Sequence, residues 1–262
     1  SYKAQKCAGC GKCIQVCPEN AIAWNDEKHV VIQNFEKCRQ CLKCVHICTF
    51  QARTQVGVEK TVDEVVKAVL EDRMFYRRGG GGVTLSGGEI LGQADFVSEI
   101  LKKCVYHGIH TVIETSGYGK WEDLKRILSY TELAFIDCKC MNQEKHKALT
   151  GVSNEIILEN IVRAAAWCEE HGKELIIRLP LIPTLNDDDT NVRDTAKFVK
   201  KLHGKPLLNV LPYHNFGASK YETIGKEYLT ENLKPQESED LQQIKNVLKE
   251  TGVRFSVGGY DI

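Results

Sequence analysis

From about residue 60 to the C-terminus, apolar positions fall into two alternating rhythms, short runs of strand length and longer stretches with helical spacing. The first helix is expected at about 61–73, where Val62, Val65, Val66, Val69 and Leu70 share a face and Thr61 with Glu64 forms a capping box. Strands are expected at 82–86, 111–115, 133–137, 175–179 and 207–211, and the apolar run 253–257 is a candidate sixth. Helices at about 93–107, 121–129, 155–171, 188–202 and 237–251 separate or follow them. Strand and helix in strict alternation predict an α/β fold with a parallel sheet and helical crossovers. Residues before 60 lack this rhythm: 21–24 and 29–32 flank 25–28 as a short β-hairpin. Two domains are therefore expected, 1–55 and 56–262.

The smaller domain holds eight of the twelve cysteines. Cys7, Cys10, Cys13 and Cys17 repeat the spacing of Cys38, Cys41, Cys44 and Cys48, C-x2-C-x2-C-x3-C twice over. This is the run of a bacterial two-cluster ferredoxin, in which three thiolates hold one cluster and the fourth reaches its neighbour. The expected sets are crossed: Cys7, Cys10, Cys13 and Cys48 on one [4Fe-4S] cluster, Cys38, Cys41, Cys44 and Cys17 on the other. Disulfides would suit a small secreted domain, but no signal peptide precedes these cysteines. Zinc sites take paired C-x2-C knuckles more often than repeated triplets. The clusters would themselves supply much of this domain's core.

Lys+Arg and Asp+Glu balance at 35 each, so no basic excess points to nucleic acid or an anionic membrane. No apolar run approaches the roughly 18 to 20 residues of a membrane span, and a soluble protein is expected. Thiolates holding iron and sulfide must stay reduced, which points to the cytoplasm of an anaerobic cell.

In parallel α/β folds chemistry collects where the strands end. The first strand ends in Ser86, Gly87, Gly88 and Glu89, the second in Glu114, Thr115, Ser116 and Gly117, and the third in Asp137, Cys138 and Lys139. The fourth carries Arg178 before Pro180, with Asn186 and Asp187 following, and the fifth ends in Pro212, Tyr213 and His214. A double glycine admits a ligand close to the backbone, and a carboxylate beside it can bind an amino group. Taken singly, Gly-Gly is more often a turn and Asp-x-Lys more often an ion pair than a site, and His214 reads equally as a satisfied loop residue; five polar strand ends in succession read as a cup for a zwitterionic ligand.

The stretches 79–89 (GGGGVTLSGGE), 114–118 (ETSGY), 137–141 (DCKCM), 146–154 (HKALTGVSN), 178–187 (RLPLIPTLND) and 211–228 (LPYHNFGASKYETIGKEY) resemble the radical SAM enzymes that activate glycyl radical enzymes. The likeness runs in order from about residue 60 to about 250. The ferredoxin-like insert is similar to that of the subgroup serving dehydratases, decarboxylases and C–N lyases. The resemblance implies a partial (β/α)6 TIM-like barrel that holds S-adenosylmethionine against a third [4Fe-4S] cluster, whose electron releases a 5′-deoxyadenosyl radical. That radical would abstract hydrogen from a backbone glycine of a partner glycyl radical enzyme. By the same resemblance Gly87, Gly88 and Glu89 would cradle the methionyl ammonium, and Asp137 and Lys139, with Cys138 between them, would sit at the methionyl carboxylate. Glu114 and Thr115 would lie near a monovalent cation and His214 by the nucleoside, with a flavodoxin or ferredoxin as reductant.

The family's third cluster is held by C-x3-C-x2-C, and this chain has no such run. Cys104 and Cys168 fall on amphipathic helices as buried thiols, and Cys138 faces away from Lys139. In the family the motif follows the first barrel strand, upstream of the insert. The expectation is therefore a fragment without that strand and cluster, inactive by itself, with 82–86 left as an edge. Two alternatives remain: an electron-transfer protein whose α/β part only docks a partner, and a radical SAM enzyme acting on a small molecule. Residues 221–225 (YETIG) favour the protein-activating group over the latter.

Overall fold

The computed structural model of the protein describes residues 1–27, 29–218, 221, 228, 230 and 232–259. Its contacts form two units, Ser1–Glu59 with His214–Leu233, and Lys60–Tyr213 with Lys234–Ile262. Residues 222–225 of the tail motif lie outside the described residues.

In the first unit β1 (Ile22–Asn25) and β2 (Val30–Gln33) form the expected antiparallel hairpin, with Ile22 opposite Gln33 and Asn25 opposite Val30. Single helical turns α1 (Lys12–Gln15) and α2 (Lys43–His46) follow the third-from-last cysteine of each run and pack on one another. Both are entered through a left-handed residue, Gly11 (φ 68°) in the first copy and Leu42 (φ 60°) in the second. At Leu42 the side chain crowds its own carbonyl at a cost of about 1–2 kcal/mol, which the glycine of the first copy avoids. Lys3 N–H donates to the Ala52 carbonyl (2.8 Å), and Tyr2 pairs with Arg53 in an antiparallel bridge.

The second unit carries one sheet of six parallel strands in chain order: β3 (Gly82–Leu85), β4 (His110–Thr115), β5 (Leu133–Asp137), β6 (Glu174–Pro180), β7 (Leu207–Leu211) and β8 (Phe255–Val257). The candidate sixth strand is thus present, shortened to three residues. Among the described residues β3 pairs only with β4. Gly82 is required there, because a Cβ would stand 2.1 Å from the His110 carbonyl oxygen.

Helices α3 (Val62–Glu71), α5 (Ala94–Tyr106), α6 (Trp121–Leu128), α8 (Glu155–Glu170), α9 (Asp189–Lys200) and α10 (Ser238–Thr251) occupy the expected stretches. The capping box at Thr61 forms, with Glu64 N–H donating to Thr61 Oγ1 at 3.2 Å and Thr61 N–H to Glu64 Oε2 at 2.7 Å. Two helices had no apolar rhythm to announce them, α4 (Arg73–Gly79) and α7 (Gln143–Thr150). End signals define α7 instead: Asn142 accepts from Lys145 N–H (2.9 Å) and Gly151 closes it at φ 85°.

Period-two alternation sorts the sheet into two faces. Ile113, Ile136, Ile177, Leu179, Leu208 and Val210 are fully buried with Leu101, Leu124, Ile127 and Ile161 of the helices. Each such side chain contributes about 1.5–3 kcal/mol by leaving water, so this layer secures the sheet. The opposite face is then free to carry polar groups, Glu114, Asp137, Arg178 and Asn209 among them.

Asp188 caps α9, accepting from Asn191 N–H at 3.0 Å, and pairs with Lys145 of α7 at 2.5 Å. The Lys145 hydrogen bond first, then the Asn191 amide, hold its carboxyl below the ordinary value of 3.8. Asp188→Ala is expected to cost about 1 kcal/mol at neutral pH. Because the folded-state pKa is the depressed one, the difference is complete above the unfolded pKa and fades as pH falls through the folded one; urea midpoints of both forms across acid pH check this.

Candidate functional site

The C-terminal ends of β3 to β6 are joined by one continuous series of polar contacts. Ser86 Oγ donates to Glu114 Oε2 (2.7 Å), and Arg178 Nη1 reaches Glu114 Oε1 at 3.0 Å. Arg178 Nε donates to Asp137 Oδ1 (3.0 Å), while the other Asp137 oxygen meets Lys139 Nζ, also at 3.0 Å. The register places Asp137 directly beside Arg178 on adjacent strands, so the pair follows from strand alignment. Burial alone would lower the pKa of Arg178; the charges of Asp137 and Glu114 outweigh it and raise it.

Glu89 forms a second group at this rim. It accepts from Leu91 N–H (3.1 Å), Thr115 Oγ1 (2.5 Å), Ser116 N–H (2.9 Å) and the Ser116 hydroxyl. Gly87 holds φ 113°, a conformation reserved for glycine, and a Cβ on Gly87 or Gly88 would meet nothing within 4 Å. The loop therefore presents open backbone. Three carboxylates, Glu89, Glu114 and Asp137, face two cations, Arg178 and Lys139, leaving one formal negative charge. A ligand carrying ammonium, sulfonium and carboxylate has the complementary balance.

Of the expected ligand residues, Gly87, Gly88, Glu89, Glu114, Thr115, Asp137 and Lys139 meet at this rim. The Cys138 thiol turns the other way, 1% exposed in the core with its sulfur 3.6 Å from that of Met141. Burial pushes it up to about 12, so it stays protonated. His214 belongs to the segment grouped with the first unit, where its ring packs on Phe216 at 4.5 Å.

Arg178 and Asn186 stand at a strand end in the sequence without a ligand role there, and the bracing use of Asn186 and of the buried Asn154, Asn160 and Asn191 is not visible in it. Asn154 donates to the carbonyls of Cys140 and Met141, Asn186 to those of Lys139 and Pro180, and Asn191 accepts from Met141 N–H, all at 2.7–2.9 Å. Asn160 likewise holds the carbonyls of Gly117 and Gly119. These amides satisfy loop backbone that carries the rim groups and would otherwise be buried unpaired. For Asn160 and Asn191 the signal in the sequence is an amide on the apolar face of α8 or α9.

In the first unit, Cys17, Cys38, Cys41 and Cys44 line one cavity of about 500 Å³, and Cys7, Cys10, Cys13 and Cys48 line a second, tighter one. These are the two crossed sets. All eight are free thiols. Among the described residues no three His, Cys, Asp or Glu converge on a single-ion position. The Lys43 backbone amide, ahead of Arg39, holds the Cys41 thiol below its ordinary value, favouring the thiolate that iron requires.

A six-stranded parallel sheet with polar strand ends, in a chain that also carries a unit whose eight thiols line two cavities, defines an α/β protein with an appended ferredoxin-like unit. The Radical SAM superfamily profile matches residues 38–198, and the 4Fe-4S dicluster domain profile matches residues 6–52. The chain is 40% identical over 261 residues to the trans-4-hydroxy-L-proline dehydratase activating enzyme of Clostridioides difficile, covering 98% of this chain and 84% of that one. It is 35% identical to the choline trimethylamine-lyase activating enzyme of Oleidesulfovibrio alaskensis, covering 98% and 83%. A crystal structure of a domain of pyruvate-formate lyase-activating enzyme from Bacteroides vulgatus superposes with a TM-score of 0.55 at 32% identity, over 68% of this chain and 99% of that one. The chain belongs to the radical SAM superfamily, in the group of activating enzymes for glycyl radical enzymes.

Removing Arg178 would leave two neighbouring carboxylates without their shared cation. A fully buried pair broken in this way costs about 3–5 kcal/mol; because water reaches Glu114, Arg178→Met is expected to cost about 1–3 kcal/mol in urea unfolding. Arg178→Lys should recover only part, since an ammonium cannot present the guanidinium's fork to both partners.

Proposed function

We propose that the strand-end rim binds S-adenosylmethionine, that the first unit carries two [4Fe-4S] clusters, and that the protein installs a glycyl radical on a separate glycyl radical enzyme. The observation that carries this reading is the unbroken polar series from Ser86 through Glu114, Arg178 and Asp137 to Lys139.

Within it, Lys139, the most exposed cation of the series at 35%, takes the methionyl carboxylate while Asp137 holds its ammonium in place. The open backbone at Gly87 and Gly88, with Glu89 behind it, receives the methionyl ammonium. Glu114 and Thr115 stand at the position of a monovalent cation. When bound, S-adenosylmethionine would take one electron, originating from the external reductant, and release methionine as its C–S bond breaks; the 5′-deoxyadenosyl radical so formed would take a hydrogen atom from a backbone glycine of the partner and leave as 5′-deoxyadenosine. The partner is of the dehydratase, decarboxylase or C–N lyase kind, the reductant a flavodoxin or ferredoxin, and the setting an anaerobic cytoplasm. No helix among the described residues is long and apolar enough to cross a membrane.

The thiols outside the first unit do not fit a third cluster, so these 262 residues by themselves are expected to bind S-adenosylmethionine without cleaving it. Cys104, Cys138, Cys140 and Cys168 are all buried, and burial raises the pKa of each. No C-x3-C-x2-C run occurs in the 262 residues.

Anaerobic reconstitution of this chain should bind about eight irons with two [4Fe-4S] signals on reduction; about four or about twelve would contradict the ligand count. Lys139→Ala should weaken S-adenosylmethionine binding in calorimetry by roughly ten- to a hundredfold, the worth of a charge-assisted hydrogen bond. Equal affinity in Lys139→Ala and the unaltered chain would reject the rim as the site.

A further inference from the structure

We infer that Arg53 is a shared electrostatic support for the two clusters, its guanidinium standing between the cavities, donating toward both and raising both reduction potentials. The inference rests on the two-cluster reading and adds to it a residue outside the cysteine runs.

Arg53 is 3% exposed, although guanidinium is among the costliest groups to bury. Nη1 donates to Gln33 Oε1, and the guanidinium carbon lies 5.0 Å from the centroid of the Tyr2 ring. Those contacts leave most of its requirement unmet: Nε and Nη2 are buried without a hydrogen-bond partner, and no carboxylate among the described residues pairs with it. Its place is fixed by the backbone bridge to Tyr2 and the flanking Lys3–Ala52 hydrogen bond. Arg53 also lines both cavities, the one walled by Cys17, Cys38, Cys41 and Cys44 and the one walled by Cys7, Cys10, Cys13 and Cys48.

A buried cation with spare donors needs an anion, and the cysteine sets on either side supply two. A [4Fe-4S] core with four thiolates is anionic and gains a further negative charge with each electron it accepts. N–H groups aimed at the sulfurs and a positive charge in a low-dielectric wall both favour the reduced state. Because neighbouring anions repel, reduction of one cluster opposes reduction of the other, and a cation between them offsets that repulsion. Arg53 thus acts on electron affinity, whereas the cysteines determine whether iron is held.

The test is a redox titration of the reconstituted full chain, followed by electron paramagnetic resonance, with iron content measured on each sample. Arg53→Gln should keep about eight irons while both midpoint potentials move negative beyond the titration error; Arg53→Lys, which keeps the charge, should stay near the unaltered chain. Full iron with neither potential moved, or only one, overturns the proposal. Should Arg53→Gln load less iron, Gln33→Glu decides, because it neutralises the guanidinium in place without removing it. Gln33 lines only the first cavity, so a fall in both potentials supports action through Arg53, and a fall in one or none overturns it. Failure of the unaltered chain to bind about eight irons would instead reject the two-cluster reading, whatever Arg53 does.

Discussion

The guanidinium of Arg178, shared between Glu114 and Asp137, is the interaction on which the rim depends. Parallel strands in register send alternate side chains to one face, so any carboxylates chosen for chemistry at neighbouring strand ends are forced together. Two like charges about 4 Å apart repel by about 4 kcal/mol at an effective dielectric of 20, enough to consume a large part of a domain's net stability. The planar fork of Arg178 turns that repulsion into two attractions and ties β4, β5 and β6 together at their ends. Ser86 and Lys139 extend the same series outward at either side.

Charge balance alone would not hold the groups still. The loops that carry them are fixed by Asn154, Asn186, Asn191 and Asn160, whose amides reach carbonyls of the 117–119 and 139–141 segments. Each asparagine is buried, so its amide competes with no solvent. Helices α8 and α9 therefore have two functions, covering the sheet with apolar residues and bracing the rim with single polar ones.

Much of this is legible in the amino-acid sequence. The five expected strands and the longer helices are visible there because burial of one face imposes a rhythm that composition cannot hide. The polar strand ends, with Asp137 and Lys139 two residues apart, are visible for the same reason. The uses of Glu89 and Arg178 are not, since their partners come from other strands and a linear pattern carries no record of which end meets which. Helix α7 escapes because its stability comes from Asn142 and Gly151 at its ends, and Arg53 because a single arginine in a polar segment looks like a solvated one. The doubled cysteine spacing, by contrast, encodes its geometry directly, and the two cavities divide the thiols as the repeat implies.

The sheet is laid out in the order in which its strands occur along the polypeptide. Every new strand finds its neighbour already made, a single crossover earlier. A chain emerging from the ribosome can extend this domain one strand and helix at a time, and it never holds a hydrophobic crossover exposed while waiting for a distant segment to arrive. Growth by accretion also means that the polar cup is assembled last at each step, as a strand's terminal residue comes to rest beside one already anchored.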